Sequence, residues 1–144
     1  MYTKGKFYSG NVAIDEVKSV RLSCNAPEHF ENDELSVHVV AYNIDDEITP
    51  VATERLSFDG DVYSLGEIFV VPGFENDGYE DFVLKMLIYH AFRSGASKVF
   101  AYVLEKQAAF FESEGFTRTG TLVDNLVELF ITPAGIHRCC EKNI

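Results

Sequence analysis

The chain has 144 residues, 47% of them apolar and 13% aromatic, which suits one domain with a buried core and excludes a disordered chain. Its formal net charge of -11 excludes general binding to nucleic acid or to an anionic membrane, both of which need clustered Lys and Arg. A single anionic ligand held by backbone amides is still compatible with that charge.

The opening stretch, MYTKGKFYSG, has no apolar signal core, and no apolar run approaches membrane-spanning length, so the expected location is cytoplasmic. KFYSG reads as a short strand. From Asp15, DEVKSVRLSCN sets Val17, Val20, Arg21 and Cys24 on or near one helical face, with Asp15 a candidate N-cap. APEHFENDEL is polar and acidic and reads as loop or short helix. LSVHVVAYNIDDEITPVATERLSFDGDVYSLGEIFVV then predicts three antiparallel strands, separated by turn signals at NIDDEITP and FDGD.

The clearest period follows. Tyr79, Phe82, Val83, Met86, Leu87, His90 and Ala91 keep the i, i+3, i+4, i+7 spacing of a core-facing helix, which Gly95 ends. SKVFAYVL reads as a strand, EKQAAFFESEGF as a short helix stopping at Gly115, and TRTGTLVDNLVELFITP as one or two closing strands. No repeat or Pro/Gly/Ser-rich linker divides the chain, so one domain over 1–144 is expected, with 133–144 as a loosely packed tail. This order predicts an α+β fold with a mixed, mostly antiparallel sheet flanked by helices.

Several kinds of chemistry lack their residues. There is no His/Cys metal cluster, no HExxH and no G-x-S-x-G elbow, so no metal site is expected. Cys24, Cys139 and Cys140 are odd in number without metal-type spacing, and read as reduced thiols. Gly73 and Gly78 have the G-x-x-x-x-G spacing of a P-loop, but Tyr79-Glu80 follows in place of Lys-Ser/Thr. Without that lysine a nucleoside triphosphatase is excluded.

Three phrases, HVVAYNIDDEITPVATERL, EIFVVPGFENDGYEDFVLKMLIYHAFRSGASKVFAYV and QAAFFESEGFTRTG, stand in the order and at the spacing of one superfamily. Over roughly Asp15 to Ile131 the chain resembles the GNAT superfamily of acyl-CoA-dependent N-acetyltransferases. It is most similar to the bacterial branch in which a first helix and an acidic residue, here Asp33, precede an H-x-V-A strand. The resemblance implies a bulged fourth strand, here EIFVV, with Phe69, Val70 and Val71 nearest the pantetheine arm of acetyl-CoA or coenzyme A. It further implies that the pyrophosphate sits on amides at the start of the long helix, at Asn76, Asp77, Gly78, Tyr79 and Glu80. Glu67 is the carboxylate that the resemblance puts near the acyl group, as a base acting through water.

The chain departs from the pattern at three positions. The family loop reads Q/R-x-x-G-x-G/A, whereas here Glu75 takes the first position and Glu80 the last, and only Gly78 matches. Each unneutralised charge pair at such a loop costs on the order of 1 kcal/mol in water and more where water is excluded. The same residues also form a capping-box pattern, with Asp77 as N-cap and Glu80 three residues on. Phe111 stands where the family commonly has a tyrosine that protonates the departing thiolate, and Tyr102 on the preceding strand is a candidate substitute. His38 and His90 read as core histidines, and His29 has only a weak claim to chemistry.

Two functions stay open on this reading. One is an enzyme transferring an acetyl or other acyl group from coenzyme A to a primary amine by direct attack in a ternary complex. The acidic surface suits a cationic small-molecule or peptide amine as its partner. The other is a catalytically degenerate GNAT-fold module that binds acetyl-CoA weakly or not at all and serves in protein interaction, for example as a homodimer.

Overall fold

A computed structural model describes residues 3–10, 15–60 and 62–136. Its sheet runs β1 (Lys4–Ser9), β2 (Val37–Tyr42), β3 (Pro50–Asp59), β4 (Val62–Leu65), β6 (Val99–Val103), β8 (Leu126–Ile131) and β7 (Thr117–Val123) across the molecule. A two-residue strand, β5 (Phe69–Val70), continues β4 along β3. Neighbours are antiparallel except β4 and β6, which run parallel. The connection between those two carries α2 (Tyr79–Arg93), as a parallel pair requires a crossover. The α+β layout with a mostly antiparallel mixed sheet therefore matches the expectation.

Helix α2 covers one face. It buries Tyr79, Val83, Leu84, Leu87, Ile88 and Ala91 against Val39, Ala41, Ala52, Leu56 and Leu65. A fully buried Leu or Val is worth about 1.5–3 kcal/mol, so this row dominates the core. The buried stripe is rotated from the one the periodicity predicts. Phe82 and Met86 are only half-buried, because they pack at the edge under β1. There Gly5 is required, since a Cβ would stand 2.5 Å from Met86 Sδ and 2.8 Å from the Phe82 ring. The short helix α3 (Glu105–Ser113) adds Ala108 and Phe111 to the same core.

Helix α1 (Asp15–Ser23) lies against β2, β3 and β5 on the opposite face, burying Val17 and Val20. Asp15 opens this helix, and residues 11–14 just before it are outside the described set, as are Cys139 and Cys140. After α1 the acidic segment forms a 3-10 turn, Asp33–Leu35, whose Asp33 is a buried hub. Its carboxylate accepts from Arg21 at 2.6 and 3.2 Å, from Arg55 at 2.9 Å and from the Phe30 amide at 2.9 Å. Burial pushes this acid up, but those donors and charges override it and hold its pKa at about 2. The Phe30 ring meets both guanidinium groups, 4.5 Å from Arg21 and 5.7 Å from Arg55, and stacks on Phe69 at 6.0 Å. His38, read as a core histidine, is buried and bonds the Asp33 carbonyl, with burial lowering its pKa.

At the end of the chain, residues 133–136 form a helical turn that meets Gly115. A Cβ on Gly115 would lie 2.4 Å from the Gly135 carbonyl oxygen, and φ there is +104°, so glycine is required twice over. The rest of the 133–144 tail lies outside the described residues.

Candidate functional site

The fourth strand of the sequence reading is not continuous. Along β3 the pairing runs Ser57↔Ser64 and Leu56↔Leu65, then resumes at Thr53↔Phe69. Between those pairs, Glu54 and Arg55 face three residues, Gly66, Glu67 and Ile68. That one-residue excess is a β-bulge, which unpairs a residue and bends its strand. Glu67, expected on a strand, sits in this bulge and is exposed. A signal for it was present in the sequence, because an isolated glycine inside a strand pattern marks a bulge or a close approach. Gly66 is that glycine, and a Cβ there would lie 2.9 Å from Arg55 Cγ.

The bulge also ends the contact with β6. Strands β4 and β6 pair from Tyr63↔Val99 to Leu65↔Ala101 and no further. Beyond that point β5 pairs only with β3, so the two strands splay and leave a cleft of about 710 Å³. One wall is Leu65 to Ile68, the other Tyr102 to Leu104, and α3 supplies Lys106, Gln107, Phe110 and Phe111. Glu80 of α2 closes one side. Val71 N–H bonds the Val51 carbonyl, so by alternation the polar groups of Val70 turn away from β3. The Val70 carbonyl accepts from the Cys24 thiol at 3.1 Å, a contact the sequence did not suggest.

The predicted residues fall into two groups. Glu67 and Glu80 share the cleft, while Asn76, Asp77 and Gly78 are exposed in the loop outside its lining. Tyr79 is buried, with its hydroxyl accepting from the Ile44 amide at 3.2 Å, so only its backbone is available to a ligand. Phe69 is buried on the α1 side against Phe30, whereas Val70 and Val71 are half-buried.

The capping-box reading of the loop is corrected. The N-cap of α2 is Gly78, with φ +85° in the left-handed region, and no side chain caps the helix. Asp77 instead gives its amide to the Phe74 carbonyl at 3.3 Å and stands one residue before the cap. Glu75 folds back and accepts the Gly73 amide at 2.8 Å. The first-turn amides of α2 thus lack the side-chain caps expected of them, and no side chain competes there with an incoming acceptor. Burial, and next the charge of Glu75, push the Glu80 carboxyl above its usual range. Phe111 is buried among Phe110 and Phe116.

Among the described residues no three His, Cys, Asp or Glu side chains are grouped so as to hold a metal ion, and no helix is long and apolar enough to cross a membrane. One further carboxylate lies behind the bulge. Glu54 is 1% exposed and neither oxygen has a partner, so burial raises its pKa well above the usual value.

No family model and no curated protein matches the sequence. Solved structures do match. A candidate N-acetyltransferase of Lactobacillus plantarum superposes with a TM-score of 0.78 at 17% identity, covering 92% of this chain and 99% of that one. The IAA acetyltransferase of Bacillus cereus gives 0.71 at 13% identity, over 91% and 99% of the two chains. An acyl-CoA N-acyltransferase of Pseudomonas aeruginosa gives 0.70 at 14% identity, over 90% and 97%. At such identities the likeness is one of fold, and it spans nearly the whole of each chain. Neighbours described as GNAT-family acetyltransferases superpose in the same way, so this chain has the fold of the GNAT N-acetyltransferases.

Proposed function

We propose that this protein is a cytoplasmic N-acyltransferase that moves an acetyl or other acyl group from coenzyme A to a primary amine by direct attack in a ternary complex. The observation that carries this reading is the cleft itself: a one-residue bulge opens the sheet beside a helix terminus without a side-chain cap. Acyl-coenzyme A supplies an activated thioester. The residues of this chain would do the rest.

Backbone groups of Val70, which turn away from β3, would align the pantetheine arm along the strand, with Phe69 and Val71 flanking it. The amides around Asn76, Asp77, Gly78, Tyr79 and Glu80 would receive the pyrophosphate, favoured by the helix dipole. Glu67, exposed in the bulge, would take a proton from the attacking ammonium through water. The carboxylates Glu67 and Glu80 in the cleft favour a cationic acceptor. The degenerate-module reading rests on the altered loop and on Phe111; occupation of the helix end by its own side chains no longer adds to it, since the N-cap is Gly78.

Calorimetric titration with acetyl-CoA and with free coenzyme A tests the proposal. Binding at micromolar to submillimolar ligand supports it, and no binding at millimolar ligand refutes it. Replacing Glu75 by Arg and Glu80 by Gly together should then strengthen binding by about tenfold or more, by removing two like charges from the pyrophosphate site. Wild-type affinity should weaken as pH rises through the elevated Glu80 pKa, since the added charge opposes the anion.

A further inference from the structure

We infer that Tyr102 and Glu128 form a subsite for a second cationic group of the acceptor, so that the acceptor class is a diamine or polyamine. This rests on the acyl-transfer reading above. Strand alternation separates two faces here. Val99 and Ala101 of β6, with Val127, Leu129 and Ile131 of β8, are buried on the α2 and α3 side. Phe100 and Tyr102 therefore point to the other face, with Glu128 and Phe130, and the register sets Tyr102↔Glu128 and Phe100↔Phe130 side by side. Helix α1 packs over β2, β3 and β5 rather than over this half of the sheet.

The cleft meets this face at Tyr102 and Leu126. Tyr102 lines the cleft and stands beside Glu128 in the register, where burial and next hydrogen bonding to that carboxylate push the tyrosine pKa up. Thr119 Oγ1 donates to Glu128 Oε1 at 2.8 Å. These two neutral donors orient the carboxylate without neutralising it. Among the described residues no Lys, Arg or His forms an ion pair with Glu128, and the nearby Arg118 is engaged by Glu105 and Glu112. A half-buried, oriented and unneutralised carboxylate is a built receptor for an ammonium group.

The surrounding surface agrees in chemistry. Phe100 stacks on Tyr102 at 6.5 Å and 13°, and meets Phe130 at 6.3 Å, giving a continuous aromatic face. Such faces attract cations. At the far end the chain supplies one itself, with Lys98 Nζ 4.6 Å from the Phe130 centroid. The near end, at Glu128, has none. An acceptor with two amines would bind one ammonium at Glu128 and present the other to the cleft, where Glu67 stands. A monoamine would use only the second of these.

The test uses 1,5-diaminopentane and 1-aminopentane as probes. Each is titrated calorimetrically into the protein saturated with coenzyme A, and into the protein alone. Acetyl transfer from acetyl-CoA is followed by thiol release. We expect the diamine to bind about tenfold tighter than the monoamine, the usual worth of one charge-assisted hydrogen bond. Glu128→Gln keeps the Thr119 and Tyr102 contacts but should reduce the diamine to the monoamine's affinity. In turnover it should raise KM for the diamine about tenfold with kcat unchanged, and leave the monoamine and the melting temperature unaffected. Equal binding of the two probes, or a Glu128→Gln protein that still prefers the diamine, overturns the subsite. Failure of acetyl-CoA to bind would overturn the acyl-transfer reading instead, while diamine binding to the protein alone still decides the subsite.

Discussion

Glu54 offers a direct measurement of how the core behind the bulge is built. Its side chain lies on the α2 face between Ala52 and Leu56, opposite Val39, with both carboxyl oxygens buried and unpartnered. Burying even the neutral acid without a hydrogen bond costs about 1–3 kcal/mol, so Glu54→Leu should stabilise the protein by that amount at pH 5. That corresponds to a rise of roughly 3–10 °C in melting temperature for a chain of this size. The ionised form costs more. The pKa of this acid is raised on folding, so between the ordinary value of 4.5 and the elevated one the folded state holds a proton that the unfolded state has lost. Stability therefore falls as pH rises through that window, by about 1.4 kcal/mol per pH unit. Glu54→Gln should remove this slope while changing stability little at pH 5, and Glu54→Leu should do both. Urea unfolding from pH 5 to 8 at constant m measures it. If wild type and both variants keep the same pH dependence, the carboxylate has found a partner and its buried, unpartnered state is refuted.

The Asp33 hub should behave in the opposite sense. Its pKa is depressed from 3.8 to about 2, so its contribution is present above pH 4 and lost as pH falls towards 2; by linkage it is about 2.5 kcal/mol. Asp33→Asn should flatten that acid limb in unfolding curves, and should cost about 3–5 kcal/mol at pH 7 by leaving Arg21 buried without its partner. Glu67→Gln, at an exposed bulge position, should leave the melting temperature unchanged but lower kcat by 10²–10⁴ at saturating amine, with coenzyme A affinity retained. A kcat within a factor of three of wild type would remove Glu67 from the mechanism.

The layout of this protein was legible in its sequence because it is written in periods. Two-residue alternation announced the strands, the spacing from Tyr79 to Ala91 announced α2, and Gly95 and Gly115 marked helix ends with positive φ. Those signals are local, and each is set by the geometry of a few neighbouring residues. The phrase order carried the resemblance to the GNAT fold for the same reason. The site was less legible, because its features depend on residues distant in the chain. Asp77 and Glu80 have the right spacing for a capping box, yet the turn through Phe74 puts Gly78 at the cap. Glu67 looked like a strand residue until the register against β3 showed the extra residue between Leu65 and Phe69.

Nothing in RLSFDGD or VELFIT pairs Tyr102 with Glu128, sets Arg55 against Asp33, or buries Glu54 without a partner. Each of those arrangements needs segments that are 15 or more residues apart in the chain to be brought together. What the sequence determined by itself was which segments become helices and strands, since period and turn chemistry are properties of adjacent residues. Only the tertiary structure decided where the sheet splits, which carboxylates are paired and which helix end is left without a cap. Those follow from register and packing, where a one-residue offset moves a side chain from one face of the sheet to the other.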